Sequence, residues 1–301
     1  MALFAFAWPA PDTAQANDEP VVISISSTGQ AGNGPSSEPS ISGDGRFVAF
    51  RSEADNLVPG DTNGVADIFV HDRLNRQTGR LSLAWDGSQA DGPSDWPQIS
   101  ADGRFVLFRS AAGNLVPGGT PPAPQLYLHD RLSGQTERIS NDLWGQPPAA
   151  ILLPVGLGGD GRYSYFQSPE TSLAWQDPDP TSDVFYYDRQ TGTTLLGSYP
   201  LPAVELARGA EDGRTIAFSS QGGTRLQRYN RVLDSLAEVP LPAGSQVLAF
   251  DLSGSGQVLV YALRSASQNI ELHQYDFQQG RATHLASLPE PVAGAARPVQ
   301  L

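Results

Sequence analysis

The stretch ISGDGRFVAFRSEADNLVPGDTNGVADIFVHDRLNRQTGRLS, residues 41–82, decides the fold because its parts return along the chain. Its first motif, SGDGRFVAF at 42–50, comes back as SADGRFVLF at 100–108, GGDGRYSYF at 158–166, AEDGRTIAF at 210–218 and, weakly, GSGQVLVY at 254–261. The turn positions are Asp44, Asp102, Asp160, Asp212 and Ser255, spaced 58, 58, 52 and 43 residues apart. Internal repeats of this length indicate an architecture built from repeated structural units.

A second motif accompanies the first in every unit. IFVHDR at 68–73 is repeated as LYLHDR, VFYYDR, LQRYNR and LHQYDF, and a polar turn and a further apolar run follow. Asp-Gly between apolar runs predicts a hairpin, and apolar runs of about four residues are typical of buried strands. We therefore predict an all-β protein, a β-propeller of four-stranded antiparallel blades with five recognisable units.

The number of blades is open between five and six, with imperfect closure of the ring. Residues 21–30 match the fourth strand of a unit, as at 138–146, and would close the ring by pairing with the last blade. Only the tail PEPVAGAARPVQL, residues 289–301, follows the fifth unit. We expect one propeller domain over residues 17–301.

The N-terminus has features of an export signal. An apolar run at 2–10 precedes Ala14-Gln15-Ala16, a small-x-small pattern typical of a cleavage site before Asn17. Only Met1 precedes the run, which suggests a true start further upstream; the alternative is an apolar tail. We predict a truncated signal peptide over residues 1–16 and a periplasmic or secreted protein. No later apolar run reaches the roughly 18 residues of a spanning helix, so we expect no transmembrane segment.

Composition excludes several functions. The net charge is −13, and all 19 cationic side chains are Arg. An acidic chain without a basic stripe disfavours nucleic acid as a partner, and the absence of Lys excludes Schiff-base chemistry. The absence of Cys excludes disulfides and thiolate metal sites.

Residues 41–82 closely resemble the TolB-like β-propeller repeats of exported bacterial proteins. The S-x-D-G-R-F-V-A-F and D-I-F-V-H-D-R motifs carry the resemblance, which is strong over 41–140, fair to Gly197 and weak afterwards. Asn230 and Ser255 replace the expected Asp in the later units. The resemblance implies a non-catalytic propeller of the bacterial envelope, or a secreted one, that binds a partner.

Recurring polar residues are candidates for chemistry. His71 and His129 occupy the same place in successive units, and Tyr replaces them in the next two. A ring of bases is one interpretation; we favour a polar ring hydrogen-bonded to the neighbouring turn. The recurring turn carboxylates, such as Asp72, are interpreted as acceptors of backbone N–H groups, and the recurring Arg residues, such as Arg46, as structural residues that pair with neighbouring carboxylates or carbonyls.

We therefore predict a non-catalytic protein- or ligand-binding scaffold. The alternative is a propeller enzyme, a polysaccharide lyase or hydrolase, with its site in the central funnel. That site would need polar residues on the inner strands, and the runs RFVAF and RFVLF that we assign there are mostly apolar. The nearest approach to a G-x-S-x-G nucleophile motif is DLSGSG, where Asp251 replaces the first Gly.

A Ca²⁺ site is the one cofactor that the sequence suggests. Oxygen ligands at alternating positions of a flexible loop suit a hard cation. The pattern occurs in the first and third units and is lost in the second, where Gly119, Pro121 and Gln125 replace its members; the alternative is a solvated polar loop. The candidate ligands are Asp61, Asn63, Asp67, Asp177, Asp179 and Asp183.

Tryptophans are the candidates for partner contact. Trp85, Trp96, Trp144 and Trp175 fall in segments rich in Gly, Pro and Asp, which we read as loops. Exposed indoles anchor protein partners or stack on sugars, whereas buried ones fill gaps between blades. The expected partner is an envelope or secreted protein, with carbohydrate as the alternative.

Overall fold

The computed structural model describes residues 4–5, 21–118, 121, 123–149, 152–175, 177, 180–197 and 204–288. The chain divides into two compact units, Met1–Pro154 and Val155–Leu301. The described residues form five four-stranded antiparallel sheets, or blades, and one short 3₁₀ turn, Thr171–Leu173. The all-β prediction and the prediction of four strands per unit are confirmed.

Unit 1 holds blades 1 and 2. A two-stranded sheet of β1 (Phe4–Ala5) and β2 (Val21–Val22) precedes them. Blade 1 is β3 (Ser36–Ile41), β4 (Phe47–Ser52), β5 (Asp67–Asp72) and β6 (Gln77–Arg80), and blade 2 is β7 (Ser94–Ile99), β8 (Phe105–Ser110), β9 (Gln125–Asp130) and β10 (Gln135–Arg138).

Unit 2 holds blades 3, 4 and 5 apart from the first two residues of blade 3, and each blade has its strands in chain order. Blade 3 is β11 (Leu153–Leu157), β12 (Tyr163–Ser168), β13 (Asp183–Asp188) and β14 (Thr193–Leu196). Blade 4 is β15 (Val204–Gly209), β16 (Thr215–Ser220), β17 (Arg225–Asn230) and β18 (Ser235–Glu238). Blade 5 is β19 (Gln246–Leu252), β20 (Val258–Arg264), β21 (Ile270–Asp276) and β22 (Arg281–Leu288).

The Asp-Gly turns connect the first and second strands of a blade. In blade 1, Gly45 has φ 71°, a conformation that glycine adopts without penalty. Asp44 Oδ1 accepts hydrogen bonds from the Ser42 hydroxyl, at 2.6 Å, and from the Arg46 N–H, at 3.0 Å. The motif therefore closes its own turn and sets the register of β3 on β4.

Apolar side chains of neighbouring blades form the core of each unit. In unit 1, Ile68 of blade 1 and Phe108 of blade 2 belong to one cluster of fully buried residues. In unit 2, Val184 of blade 3 and Ile216 of blade 4 do the same. The apolar repeats thus supply both the strands and the contacts between blades.

A stack of aromatic and cationic groups recurs between successive blades. In unit 1 the Arg131 guanidinium lies 3.9 Å from the ring centroid of Phe47, and a side chain at Gly103 would overlap that ring. In unit 2 the Arg231 guanidinium lies 3.9 Å from the centroid of Tyr163, beside Gly213. Because Gly has no side chain, each aromatic ring can pack directly on the next blade's turn.

The assignment of RFVAF and RFVLF to the inner strands is wrong. They form the second strands, β4 and β8, whereas β3 and β7 are the edge strands that contact each other. Ser40 of β3 accepts a hydrogen bond from the Ile99 N–H of β7 at 3.0 Å. The sequence of β3, SSEPSI, is polar. The apolar character of β4 and β8 is therefore no argument against polar residues on the edge strands.

The predictions for the chain ends fall mostly on residues outside those described. These include most of the proposed leader, 1–16, and the tail 289–301 that would close the ring. The stretch after β2 lies against β6: the Thr78 N–H donates to the Ser27 hydroxyl at 3.0 Å. A single domain over 17–301 stays a prediction. No helix among the described residues is long and apolar enough to cross a membrane.

Candidate functional site

One edge of unit 1 is built from two kinds of loop, and we call it the loop face. It comprises loop 53–66 and the described part of loop 111–124, which connect second and third strands, the turns 84–88 and 142–146, which follow the fourth strands of blades 1 and 2, and the turn 26–30, which follows β2. Hydrogen bonds join the two kinds: the Trp85 N–H donates to the Asn114 carbonyl at 3.1 Å, and the Asp91 N–H to the Asn114 side chain.

The structure brings together the first three predicted calcium ligands, around an arginine. The Arg80 guanidinium, on β6, donates to Asp61 Oδ1 at 2.8 Å and to Asp67 Oδ2 at 3.2 Å. The Asn63 amide donates to Asp67 Oδ2 at 2.9 Å. All the side chains of the ion pairs are buried, with Asp67 fully so. A cation of the chain itself therefore lies between these carboxylates.

Neutral groups complete the enclosure. The Ser82 hydroxyl donates to Asp67 Oδ1, and Gln89 Oε1 accepts from Arg80 and from the backbone N–H groups of Thr62 and Asn63. Burial raises the pKa of the Asp61 carboxyl, against the opposing attraction of Arg80. Because a buried carboxylate is costly without a counter-ion, Arg80 is what keeps this loop charged and folded.

The equivalent position in blade 2 has a neutral side chain instead of a carboxylate. Gln125 stands where blade 1 has Asp67, and its Oε1 accepts from the Ser140 hydroxyl at 2.9 Å. Its amide donates to the carbonyls of Ala123 and Pro148, at 2.9 and 2.8 Å. Arg138, the counterpart of Arg80, instead donates to Asn141 at 2.7 Å.

The second set of predicted calcium ligands is described in part. Asp177 and Asp183 belong to the loop of blade 3, and Asp179 lies outside the described residues. Asp183 is buried at the start of β13, and Leu196 stands at the position of Arg80. Calcium binding at either loop stays a prediction.

Sequence reasoning missed Arg80. Its signal was an arginine eight residues after the turn Asp, present in the first two units as Arg80 and Arg138. The carboxylates were predictable because oxygen ligands at alternating positions are a known signature, whereas the role of a counter-ion on another strand depends on how the strands pair.

The recurring turn carboxylates are structural, as predicted. Asp72 binds Arg46 through two hydrogen bonds, at 3.0 and 2.7 Å, and accepts the Leu74 N–H at 3.0 Å. The Arg46 guanidinium holds the pKa of the Asp72 carboxyl well below its usual range. Blades 2 and 3 repeat the pair as Arg104–Asp130 and Arg162–Asp188.

The recurring histidines are hydrogen-bonded as predicted, but to the fourth strand of the blade rather than to the turn. His71 Nδ1 lies 2.9 Å from the Thr78 hydroxyl, and His129 Nδ1 lies 2.9 Å from the Thr136 hydroxyl. Burial lowers the pKa of both imidazoles, which favours their neutral forms. Each histidine ties the third strand of its blade to the fourth.

Three turns on the loop face share one frame and differ at their tips. Each is closed by a backbone hydrogen bond across five residues: Ser26 to Gln30, Ala84 to Ser88 and Asp142 to Gln146, at 2.8 to 2.9 Å. The tips are Ser27-Thr28, Trp85-Asp86 and Leu143-Trp144. The side chains of Trp85 and Trp144 are 64% and 66% exposed.

The other tryptophans differ from one another. Trp175, after the 3₁₀ turn of unit 2, is exposed, as expected for a loop. The assignment of Trp96 to a loop is wrong, since it lies in β7 and its ring packs 4.6 Å from the Arg109 guanidinium. A proline at position 97 and a β-bulge within β7 give this strand a loop-like sequence.

The edge formed by β3 and β7 holds a second set of polar contacts, made by Glu38, Asp95, Trp96 and Arg109, which we call the edge cluster. The Glu38 carboxylate accepts the Trp96 N–H at 2.6 Å, and Asp95 pairs with Arg109 at 2.6 Å. Burial raises the pKa of the Glu38 carboxyl. Glu38 and Trp96 have backbone φ angles of 56° and 53°, which residues other than glycine rarely adopt. Raised carboxyl pKa values and strained backbone are typical of functional sites.

The chain has a TolB-like β-propeller fold of about five blades. A putative TolB from Agrobacterium tumefaciens is 16% identical, with a TM-score of 0.57, and the match covers 85% of this chain and 82% of that one. TolB from Acinetobacter baumannii is 17% identical with a TM-score of 0.55, over 92% of this chain and 58% of that one.

Enzymes share the fold. An oligogalacturonate lyase in complex with manganese is 14% identical with a TM-score of 0.55, over 84% of this chain and 65% of that one. The chain thus spans less than two thirds of the length of the lyase and of the A. baumannii TolB. At these identities the likeness establishes the fold alone. No family model and no curated protein matches the chain.

Proposed function

We propose that this protein is an exported, non-catalytic binding scaffold whose contact surface is the loop face of unit 1. The observation that carries the proposal is the set of three turns with one frame and different tips, two of which present exposed indoles. Rigid blades below variable loops are a common arrangement for binding. Trp is also the residue type most enriched at the energetic centres of interfaces.

The turns hold their tips in fixed positions before any partner arrives. The closing hydrogen bond orders each turn, and the Trp85 N–H is bonded to the loop of blade 2. Less conformational entropy is therefore lost on binding, which favours affinity. A protein of the bacterial envelope, or a secreted one, is the partner that we propose, and carbohydrate is the alternative ligand.

Export rests on the sequence of the N-terminus, residues 1–16, and on the resemblance of the repeats to exported propellers. A periplasmic or secreted location is accordingly part of the proposal. Fractionation of cells that express the full open reading frame tests this part, since an exported chain reaches the periplasm or medium and a cytoplasmic one does not.

Paired variants test the contact surface. Trp85→Ala/Trp144→Ala removes both indoles of the loop face. Leu74→Ala/Leu132→Ala removes two side chains that are 73% and 79% exposed, at the opposite ends of blades 1 and 2. We expect the immobilised protein to retain specific envelope proteins or oligosaccharides, the Trp variant to lose them, and the Leu variant to keep them.

A photo-crosslinking residue in place of Asp86 gives a second readout. It should yield a discrete adduct with the retained species, whereas the same residue in place of Leu74 should not. Equal retention by both double variants, or adducts at Leu74 alone, would contradict the proposal for the loop face.

The edge cluster favours one second candidate, a propeller enzyme that acts on polysaccharide. Glu38, with its raised pKa and strained backbone, is the carboxyl that such chemistry would use. Turnover of an acidic oligosaccharide panel that Glu38→Gln abolishes, with the loop-face variants unaffected, would replace the scaffold proposal by this one.

A further inference from the structure

Blade 5 of unit 2 carries a group of potential metal ligands that neither proposal above uses. Glu271 and His273 lie on β21 and His284 lies on β22, and a ligand atom from each lies within 4.8 Å of the others. His273 Nε2 is 3.1 Å from Glu271 Oε2, and the two imidazole centroids are 5.1 Å apart.

The pairing of β21 with β22 explains why these side chains meet. His273 lies directly opposite His284, and Glu271 lies opposite Ser287. Alternation along a regular strand would place positions 284 and 287 on opposite faces. Leu272 pairs with Ala286, so Leu285 is the extra residue of a β-bulge, and the bulge returns Ser287 to the face of His284. The two side chains are hydrogen-bonded, 3.0 Å apart.

The ring of His273 is held in place by a residue of the neighbouring strand. The buried Tyr261, on β20, stacks on it with centroids 5.4 Å apart and planes at 16°. The side chain of His273 is 12% exposed and that of Glu271 is 24% exposed, whereas His284 is exposed. Two ligands are thus fixed in a partly desolvated place, and the third, His284, lies on the exposed side from which an ion would enter.

We propose that Glu271, His273 and His284 bind a divalent zinc ion, with water as the fourth ligand. Two imidazoles and one carboxylate are the donor set of open tetrahedral zinc sites. Bond lengths of about 2.0 to 2.1 Å in a tetrahedron separate ligand atoms by about 3.3 Å. The Glu271–His273 pair is near that spacing already, and a rotation of His284 supplies the remaining contraction. The Ser287 hydroxyl orients His284, as outer-shell hydrogen bonds commonly do.

Cobalt titration of the whole, tag-free chain tests the site, because Co²⁺ bound tetrahedrally by protein side chains absorbs strongly in the visible range. We expect one Co²⁺ per chain, and bleaching of the colour by one equivalent of Zn²⁺. His284→Ala should weaken Zn²⁺ binding at least tenfold, and Glu271→Gln should weaken it similarly. Gln274→Ala, on the opposite face of β21, should leave it unchanged.

Thermal unfolding supplies the independent measurement. Zn²⁺ should raise the melting temperature of the parent chain and of Gln274→Ala, but not that of His284→Ala, since a ligand stabilises only a state that binds it. The four chains should melt at similar temperatures in chelator, which excludes misfolding of the variants. No visible absorption with the folded parent, or equal affinity of His284→Ala and the parent, would overturn the proposal.

Discussion

Blades 1 and 2 share a frame and differ in the charge of their loops. Both blades have the Asp-Gly turn, the Arg–Asp pair and the His–Thr hydrogen bond, at positions 58 residues apart in the sequence. Ser82 and Ser140 are equivalent in the same way. Blade 1 then encloses an arginine between two carboxylates, whereas blade 2 uses one glutamine. The buried oxygen at this position, of Asp67 or of Gln125, therefore needs hydrogen-bond donors, and a charged arginine is one of two ways to supply them.

The largest expected effect is the loss of the cation in blade 1. Arg80→Met leaves Asp61 and Asp67 buried without their counter-ion, which should reduce the free energy of unfolding by about 3 to 5 kcal/mol. Arg138→Met, the matched change in blade 2, should cost less than about 1 kcal/mol because Asn141 is neutral. Denaturant unfolding of both variants measures the difference.

The cost of Arg80→Met should also depend on pH. Burial already raises the pKa of Asp61, and removal of Arg80 removes the attraction that opposes the rise. A carboxyl with a raised pKa destabilises the fold fully above that pKa and progressively less as the pH falls through it. The deficit should therefore be smaller at pH 5 than at pH 7.5. A deficit independent of pH would mean that lost packing, and not charge, causes it.

The next largest effect tests the frame that the blades share. Gly103→Ala places a methyl group on the Phe47 ring at φ 70°, and should cost about 2 to 3 kcal/mol through overpacking and strain. Gly45→Ala has nearly the same φ, 71°, but its methyl group lies 3.6 Å from the Arg73 guanidinium, so about 1 kcal/mol is expected. Thermal and denaturant melts that show equal costs would remove the stack as a contributor to stability.

A smaller effect is expected when blade 1 is made neutral, like blade 2. Asp61→Asn/Asp67→Asn/Arg80→Met should cost only about 1 to 2 kcal/mol, less than Arg80→Met alone, because no buried charge remains. The buried Nε of Arg80, which has no hydrogen-bond partner among the described residues, makes the charged arrangement imperfect and favours this outcome. A triple variant less stable than Arg80→Met would show that the ion pairs themselves stabilise the loop.

The smallest effect concerns calcium. Blade 3 keeps Asp177, Asp179 and Asp183 with Leu196 in place of the arginine, so we expect any stabilisation by millimolar Ca²⁺ there rather than in blade 1. It should be about 1 kcal/mol, a few degrees in melting temperature, and absent in Asp177→Ala. Asp61→Ala is the matched control, and its ion-dependent shift should equal that of the parent. No shift in the parent would end the calcium hypothesis.

The sequence predicted the frame well because the frame is local. Asp44 closes its own turn, and the four strands of each blade follow one another in the chain. The partners of Asp72 and His71 were also predictable in kind, since each recurs at one place in successive units. Such features depend on spacing within a single repeat.

The parts that escaped prediction depend on contacts between strands, which the recurrence of single positions did not reveal. Arg80 meets Asp61 and Asp67 because β6 pairs with β5 at the end of the loop, and Glu38 meets the Trp96 N–H because two edge strands lie side by side. The bulge at Leu285, which aligns His284 with Glu271, leaves no recognisable pattern in the letters around it. The contacts of Arg80, Glu38 and His284 therefore depend on strand pairing that the motifs alone do not reveal.

The stack between successive blades has a consequence for how such chains lengthen. Blades 1 and 3 bring an aromatic ring for the blade that follows, and blades 2 and 4 bring a glycine and an arginine for the blade before: Phe47 with Gly103 and Arg131, Tyr163 with Gly213 and Arg231. Blade 4 has Thr215 in place of the ring, against Gly256 of blade 5. In the sequence, blades 1, 2 and 3 each carry the ring, the glycine and the arginine at these positions, so a duplicated segment that encodes such a blade would insert with both of its junctions complementary. Recombination could therefore add or delete such blades without requiring new residues at the contacts between blades.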